Sequence, residues 1–413
     1  MQPESERYPR IVERVLRENL LPDFAAILIV GPRGCGKSTS AAQFADATLD
    51  LSLPGIARSA REDPDSMLNA VSGCLVIDEW QEAPEIVGAV KRAVDAGVGD
   101  NRYLLTGSVR AARQASTWPG TGRLIRMRMW GLTQGELAGD NVYNPVDALF
   151  SDQPPTCHSE ITRSMLLERI VAGRFPEALA LPSQSRSYWY EGYVEQLADL
   201  DARQVASGRP EPQKLRAVLS SCAARTGQVL NKQAVSRDAG VTAVTADAHL
   251  SLLEDLSVIV RIPAWHNKRL YRLTRSPKVY VSDPGITAHL LGLDAATLLL
   301  DATAVGQLFE TSVVSEIMPH LQCGSAPTFM YHFRDHSGRE VDLLLERGGR
   351  VVGLEVKSGT SVGSEDARHL LWLREQLGDN FHLGVVLYSG QFAVQLGERL
   401  WALPISLLWQ PPR

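Results

Sequence analysis

Gly31-Pro32-Arg33-Gly34-Cys35-Gly36-Lys37-Ser38 is the most informative stretch of this 413-residue chain. It satisfies GxxxxGK[ST] in full. The apolar run from Ala25 to Val30 before it predicts a short buried parallel strand, and a helix is predicted from Lys37 onward. In that setting glycines let backbone N–H groups converge on phosphate oxygens, and the helix N-terminus adds partial positive charge. Lys37 is placed to reach the β/γ-phosphates of a nucleotide, and the Ser38 hydroxyl to ligate Mg2+. Residues Gly31 to Thr39 are therefore the expected ATP cradle.

The partner signal lies about 40 residues downstream, in Cys74-Leu75-Val76-Ile77-Asp78-Glu79. Here an apolar strand ends in two carboxylates. Asp78 is expected to hold Mg2+ through water, and Glu79 to orient or deprotonate the attacking water. The next strand ends in Leu104-Leu105-Thr106-Gly107-Ser108, where Thr106 or Ser108 would sense the γ-phosphate or simply cap a turn. Six arginines and no acid lie between Asn101 and Gly135. Arg123 is the candidate for an arginine finger acting on a neighbouring subunit, whereas Arg126 and Arg128 read better as a solvated strand face. Strands alternating with helices predict a parallel sheet covered on both sides.

Composition sets the outer limits. A hydrophobic fraction of 44% and a charged fraction of 22% exclude whole-chain disorder, collagen and coiled coil. No apolar run approaches a membrane span, and MQPESERYPR lacks a signal-peptide core. Cys35, Cys74, Cys157, Cys222 and Cys323 are scattered and odd in number, which argues for reduced thiols in a cytoplasm. A net charge of −5 excludes a uniformly basic nucleic-acid binder.

The chain resembles the AAA-type ATPases of bacteria and archaea that carry a C-terminal domain of unknown function with a restriction-endonuclease-like core. The likeness spans nearly the whole length. It rests on GPRGCGKST, LVIDEWQ, LLTGS, the Gly122-Arg123 pair, GRFPEAL at 173–179, RTGQVLNKQAV, KVYVSDPGITAHLLG, GQLFETSVVSEI and REVDLLLERGGRVVGLEVKSG. Two positions depart from it: Arg174 stands where the family usually has a second glycine, and Gly131-Leu132-Thr133 replaces Pro-Leu-Ser. The resemblance implies an α/β architecture of three parts. These are a P-loop AAA-like ATPase domain at 1–150, a helical and winged-helix segment at 151–300, and a restriction-endonuclease-like domain at 301–413. It implies ATP and Mg2+ as cofactors, assembly into a homo-oligomer, and no membrane.

Helices near 212–226, 231–239 and 242–256, then a hairpin of Val258–Ile262 with Leu270–Leu273, fit a winged helix. Arg261, Lys268, Arg269, Arg272, Arg275 and Lys278 follow with no acid among them, as a phosphate-contacting wing would require. The second of the paired helices instead carries Asp247, Glu254 and Asp255, so a protein partner and DNA or another nucleic acid stand level as partners here.

Strands at 340–346 and 350–357 flank Gly348-Gly349, a favoured two-residue turn. That turn would set Leu343 against Leu354 and Leu345 against Val352 on an apolar face, and Asp342 against Glu355 on the other. Like charges directly across a strand pair repel, and a divalent cation would offset this. Asp342 followed by Glu355-x-Lys357 matches the PD-(D/E)xK nuclease constellation, in which two carboxylates bind Mg2+ (or Mn2+) and the lysine assists water. By resemblance, Glu310 is an extra acidic ligand. Alternatives are a Glu340–Lys357 ion pair, a proton shared by Asp342 and Glu355, or a nuclease fold that no longer cleaves. His332 and His336 read as surface residues. The leading expectation is an ATPase controlling a nuclease-like, nucleic-acid-acting half. The alternatives are an ATP-gated binding regulator and, less favoured, a small-molecule kinase.

Overall fold

The computed structural model describes residues 7–107, 122–152, 158–201, 211–266, 272 and 275–411. It contains two compact units: Met1–Leu132 with Asp255–Ser257, and Thr133–Glu254 with Val258–Arg413. Among the described residues no helix is long and apolar enough to cross a membrane.

The first unit is built on five parallel strands: β1 (Ala26–Val30), β2 (Ala47–Asp50), β3 (Leu75–Asp78), β4 (Tyr103–Gly107) and β5 (Leu124–Arg128). Their order is β2-β3-β4-β1-β5. The β1 sequence AILIV is buried at every position, as a strand covered on both faces requires. Helix Glu85–Asp95 packs Ile86, Val87, Ala89 and Val90 into the same core as Leu28, Val30, Leu75 and Ile77. Each buried Ile, Val or Leu among them contributes about 1.5–3 kcal/mol on burial. Because β4 lies between β1 and β3, the carboxyl ends of three adjacent strands bring together the P-loop, Thr106 and Asp78.

The second unit holds two sheets. In the smaller, β6 (Gln228–Val229), β7 (Ile259–Ile262) and β8 (Lys278–Val281) run antiparallel in the order β6-β8-β7. Helices Pro212–Ala224, Lys232–Asp238 and Ala243–Asp255 occupy the expected positions. β7 pairs with Lys278–Val281; the expected hairpin arm Leu270–Leu273 lies, apart from Arg272, outside the described residues. All four β8 residues are buried, including the lysine, so β8 lacks the apolar–polar alternation of a half-exposed wing.

The larger sheet has the order β13-β14-β12-β11-β10-β9. It comprises β9 (Phe329–Arg334), β10 (Glu340–Arg347), β11 (Arg350–Lys357), β12 (Phe381–Tyr388), β13 (Val394–Gly397) and β14 (Leu400–Pro404). Helix Ala302–Gln322 precedes it, and Arg368–Leu377 connects β11 to the parallel strand β12. The β10–β11 ladder runs from Leu343–Leu354 to Arg347–Arg350, in the register set by the glycine turn. Gly348 and Gly349 both have positive φ, 57° and 86°, which a type I′ turn demands at its two central residues. At the far end Asp342 Oδ2 accepts the Val356 N–H at 2.9 Å.

Candidate nucleotide site and buried carboxylate cluster

The P-loop is shaped by close main-chain approach. A Cβ at Gly31 would overlap the carbonyl oxygen of Met129, and Gly36, with φ 98°, opens helix Lys37–Ala41. Lys37 Nζ donates to the carbonyls of Gly31 (3.1 Å) and Pro32 (2.9 Å), so its ammonium lies along the loop that would wrap the phosphates. Ser38 Oγ donates to Asp78 Oδ1 at 2.8 Å, and Thr106 Oγ1 donates to the same oxygen. The two residues expected to hold Mg2+ thus meet across 40 positions of sequence. Hydroxyl and carboxylate oxygens side by side at a helix N-terminus suit a hard cation carrying phosphates. Arg33, Gly34, Ser38 and Thr39 are exposed, while Cys35 is buried. Ser108 lies outside the described residues.

Glu79 adopts a left-handed conformation, φ 52° and ψ 46°, at the start of the turn Trp80–Glu82. For a non-glycine residue this costs of order 1–3 kcal/mol and is characteristic of functional sites. Trp80, fully buried, anchors the turn, and the Gln81 amide donates to the Glu79 carboxylate. Arg123 forms an ion pair with Asp95, the last residue of helix Glu85–Asp95. Both side chains are well exposed, and exposed pairs of this kind bind weakly.

Two residues of this site escape motif reading. Buried Arg10 donates to the carbonyls of Cys35 and Trp130, both at 2.7 Å, and so ties the P-loop to the segment after β5. Glu13, one helical turn on, accepts from Ser40 Oγ at 2.7 Å behind the loop. Their only sequence signal is an Arg and a Glu three apart on a helix that is otherwise apolar on its inner face.

In the second unit Glu310, Glu340, Asp342 and Glu355 come together, and so does Lys278. Its Nζ lies 2.8 Å from Glu310 Oε1, 2.8 Å from Glu340 Oε1 and 3.6 Å from Asp342 Oδ1. Tyr280 OH donates to the same Glu310 oxygen. Lys357 Nζ lies 3.3 Å from Glu355 Oε2, and Glu355 Oε1 has no hydrogen-bond partner among the described residues. Burial pulls the Lys278 ammonium down, but the charges of Glu310, Asp342 and Glu340 outweigh it and hold the pKa above that of an ordinary lysine. Burial, with the Asp342 charge, raises Glu310 to about 7 and pushes Glu355 well above the usual carboxylate range. The expected metal ligands Glu310, Asp342 and Glu355 do converge. Among the described residues, however, no group of three or more His, Cys, Asp or Glu is arranged to hold a metal ion.

The basic stretch is also committed elsewhere. Arg272 pairs with Glu346 at 2.8 Å and stacks over Trp265 and Tyr331, and Arg261 faces Glu254 at 3.4 Å. Arg275 donates to the Arg334 carbonyl at 3.0 Å. With Lys278, four of the six basic residues of that stretch are thus engaged within the unit. Lys268 and Arg269 lie outside the described residues.

His332 is buried rather than on the surface, with Nε2 3.2 Å from the Ser276 carbonyl. Burial and the Lys278 charge lower its pKa to about 4, against the opposing pull of Glu340, while Arg334 adds a smaller lowering. The ring is neutral in the fold, so its contribution is complete above pH 6.5 and is lost as pH falls from there toward 4. The loss amounts to about 3 kcal/mol. Urea unfolding across that range is expected to show it in wild type, and His332→Asn to flatten the slope.

Residues 23–138 match the family model of an AAA domain. Residues 163–297 and 305–408 match two domains of unknown function, DUF8612 and DUF4143. Uncharacterized proteins of Mycobacterium tuberculosis and Mycobacterium bovis are each 25% identical over 387 residues, 92% of this chain and 79% of theirs. A crystal structure of a Vibrio cholerae protein aligns over 93% of this chain and 96% of its own at 11% identity. Its TM-score is 0.21. With its parallel sheet and P-loop, the chain joins an AAA-type ATPase domain to a C-terminal DUF4143 domain.

Proposed function

We propose that this protein is a Mg2+-dependent ATPase whose nucleotide state governs a second unit that binds a partner rather than cleaving one. The observation that carries the ATPase reading is the meeting of Ser38, Thr106 and Asp78 on one carboxylate oxygen beside the P-loop. Residues Gly31 to Thr39 wrap the phosphates, Lys37 faces the β/γ-phosphates, and Ser38 and Asp78 hold the ion. Thr106 sits where a γ-phosphate would be sensed, and Ser108 has the same role by sequence alone. Glu79 orients the attacking water once its carboxylate leaves Gln81. Mg2+ would neutralise charge on the phosphate oxygens.

The winged-helix reading is supported by three helices followed by the β7–β8 pair. Arg261, Arg272, Arg275 and Lys278 are all engaged within the unit, which favours a protein partner there over DNA or other nucleic acid. A second reading, a nuclease using Mg2+ or Mn2+ at Asp342, Glu355 and Glu310 with Lys357, is favoured by the neighbouring placement of the acids on β10 and β11.

Arg123 acts across a subunit boundary in a homo-oligomer, after release from Asp95. Phosphate release tests these assignments. Wild type is expected to hydrolyse ATP only with Mg2+, and Lys37→Ala and Arg123→Ala each to be inactive. Mixed Lys37→Ala and Arg123→Ala subunits should recover activity, because one interface type then holds both intact parts. No recovery at any ratio, with mixed assembly verified, would remove the arginine finger; no hydrolysis by folded wild type would remove the ATPase.

A further inference from the structure

A cluster of buried acids requires positive charge, and this one contains it. Lys278 opens β8, its side chain is 1% exposed, and its ammonium touches helix Ala302–Gln322 through Glu310 and β10 through Glu340 and Asp342. Tyr280, two residues on and therefore on the same strand face, supplies a second donor to Glu310. The other Asp342 oxygen is occupied by the Val356 N–H. Donors thus face Glu310, Glu340 and Asp342, while Glu355 Oε1, at the far side of the cluster, is without a hydrogen-bond partner among the described residues. A divalent ion binds carboxylate oxygens at about 2.0–2.6 Å, and an ammonium already within hydrogen-bonding distance of two of them excludes it.

We propose that Lys278 is the resident cation of the C-terminal carboxylate cluster, standing between Glu310, Glu340 and Asp342 where a nuclease-type site would hold a divalent metal. The second unit therefore stands complete without metal, and β8 is fastened by charge to the helix and strand that carry the acids. This deepens the reading of that unit as a binding rather than a cleaving module, and it is independent of ATP hydrolysis.

The test uses the full chain without nucleotide, with Mn2+ as probe. Bound Mn2+ is measured by the loss of the free-ion electron paramagnetic resonance signal in wild type and in Asp342→Asn. The two proteins are expected to retain the same amount, since any ion at the P-loop side contributes equally to both. Lys278→Met, which frees the acids, is expected to bind about one further ion per chain, lost again in Lys278→Met/Asp342→Asn. Its melting temperature should fall below that of wild type and be partly restored by Mn2+.

Mn2+ binding by wild type that Asp342→Asn abolishes would overturn the proposal. So would a Lys278→Met protein that melts with wild type and ignores Mn2+. Should Lys278→Met fail to fold, the comparison of wild type with Asp342→Asn still decides. Failure here would leave the ATPase assignment intact, since phosphate release reads a different site.

Discussion

Replacing Glu79 with glutamine is expected to halt ATP turnover while nucleotide binding persists. The substitution keeps the size and most of the hydrogen bonding of the side chain, so the left-handed turn anchored by Trp80 stays in place. It removes the carboxylate that would accept a proton from, or orient, the attacking water. Loss of a positioned general base lowers turnover by roughly 10²–10⁴-fold. Lys37→Ala should behave differently and lose binding itself, because it deletes the cation placed along the phosphate loop. Equilibrium binding of a fluorescent ATP analogue and steady-state phosphate release separate the two. Undiminished hydrolysis in Glu79→Gln would overturn the role given to Glu79.

Arg174→Ala is expected to destabilise the second unit by about 3–5 kcal/mol, the cost of stranding a buried charge. The Arg174 and Glu316 side chains are 4% and 1% exposed and form an ion pair. Arg174 also donates to the Ser312 carbonyl at 3.0 Å. Glu316 in turn accepts the Gln134 N–H at 2.9 Å, so one carboxylate serves the ion pair and a helix start together. Removing the guanidinium leaves Glu316, already raised by burial, without its charge partner. Arg174→Ala/Glu316→Gln should recover much of the loss, since the stranded charge is then gone too. The check is a lower urea midpoint in the single variant than in the double. Equal midpoints in the two variants would show that the stranded Glu316 charge is not the source of the loss.

The first unit was legible because its determinants are local. The β1 run, the P-loop and the β3 run ending in Asp78 each fix a residue's role by its position at a strand end, and the parallel sheet follows from alternation. The β10–β11 register was legible for a similar reason, since Gly348-Gly349 permits one tight turn and a period of two does the rest. Lys278 was not. Its partners lie 32, 62 and 64 positions away, and within its own stretch it is one basic residue among several, which reads as a phosphate-contacting wing. His332 was misread in the same way, because a strand-end histidine looks exposed until another segment covers it. Arg10 was illegible because it acts on main-chain carbonyls, with no motif spacing to mark it.

One consequence concerns how the second unit can be divided. Trp265 N donates to the His332 carbonyl at 2.7 Å, and His332 N donates to the Pro263 carbonyl at 3.0 Å. This short bridge lies along the outer edge of β9, the last strand of the larger sheet. A fragment beginning near residue 301 would bare that edge, with exposed Phe329 at its start. An uncovered strand edge is a template for pairing with other chains, so such a fragment is expected to aggregate. It would also discard Lys278 while keeping the acids that surround it. The C-terminal sheet is thus not an interchangeable cassette, and recombination at that boundary would separate a charge from its counter-charges and an edge from its cover.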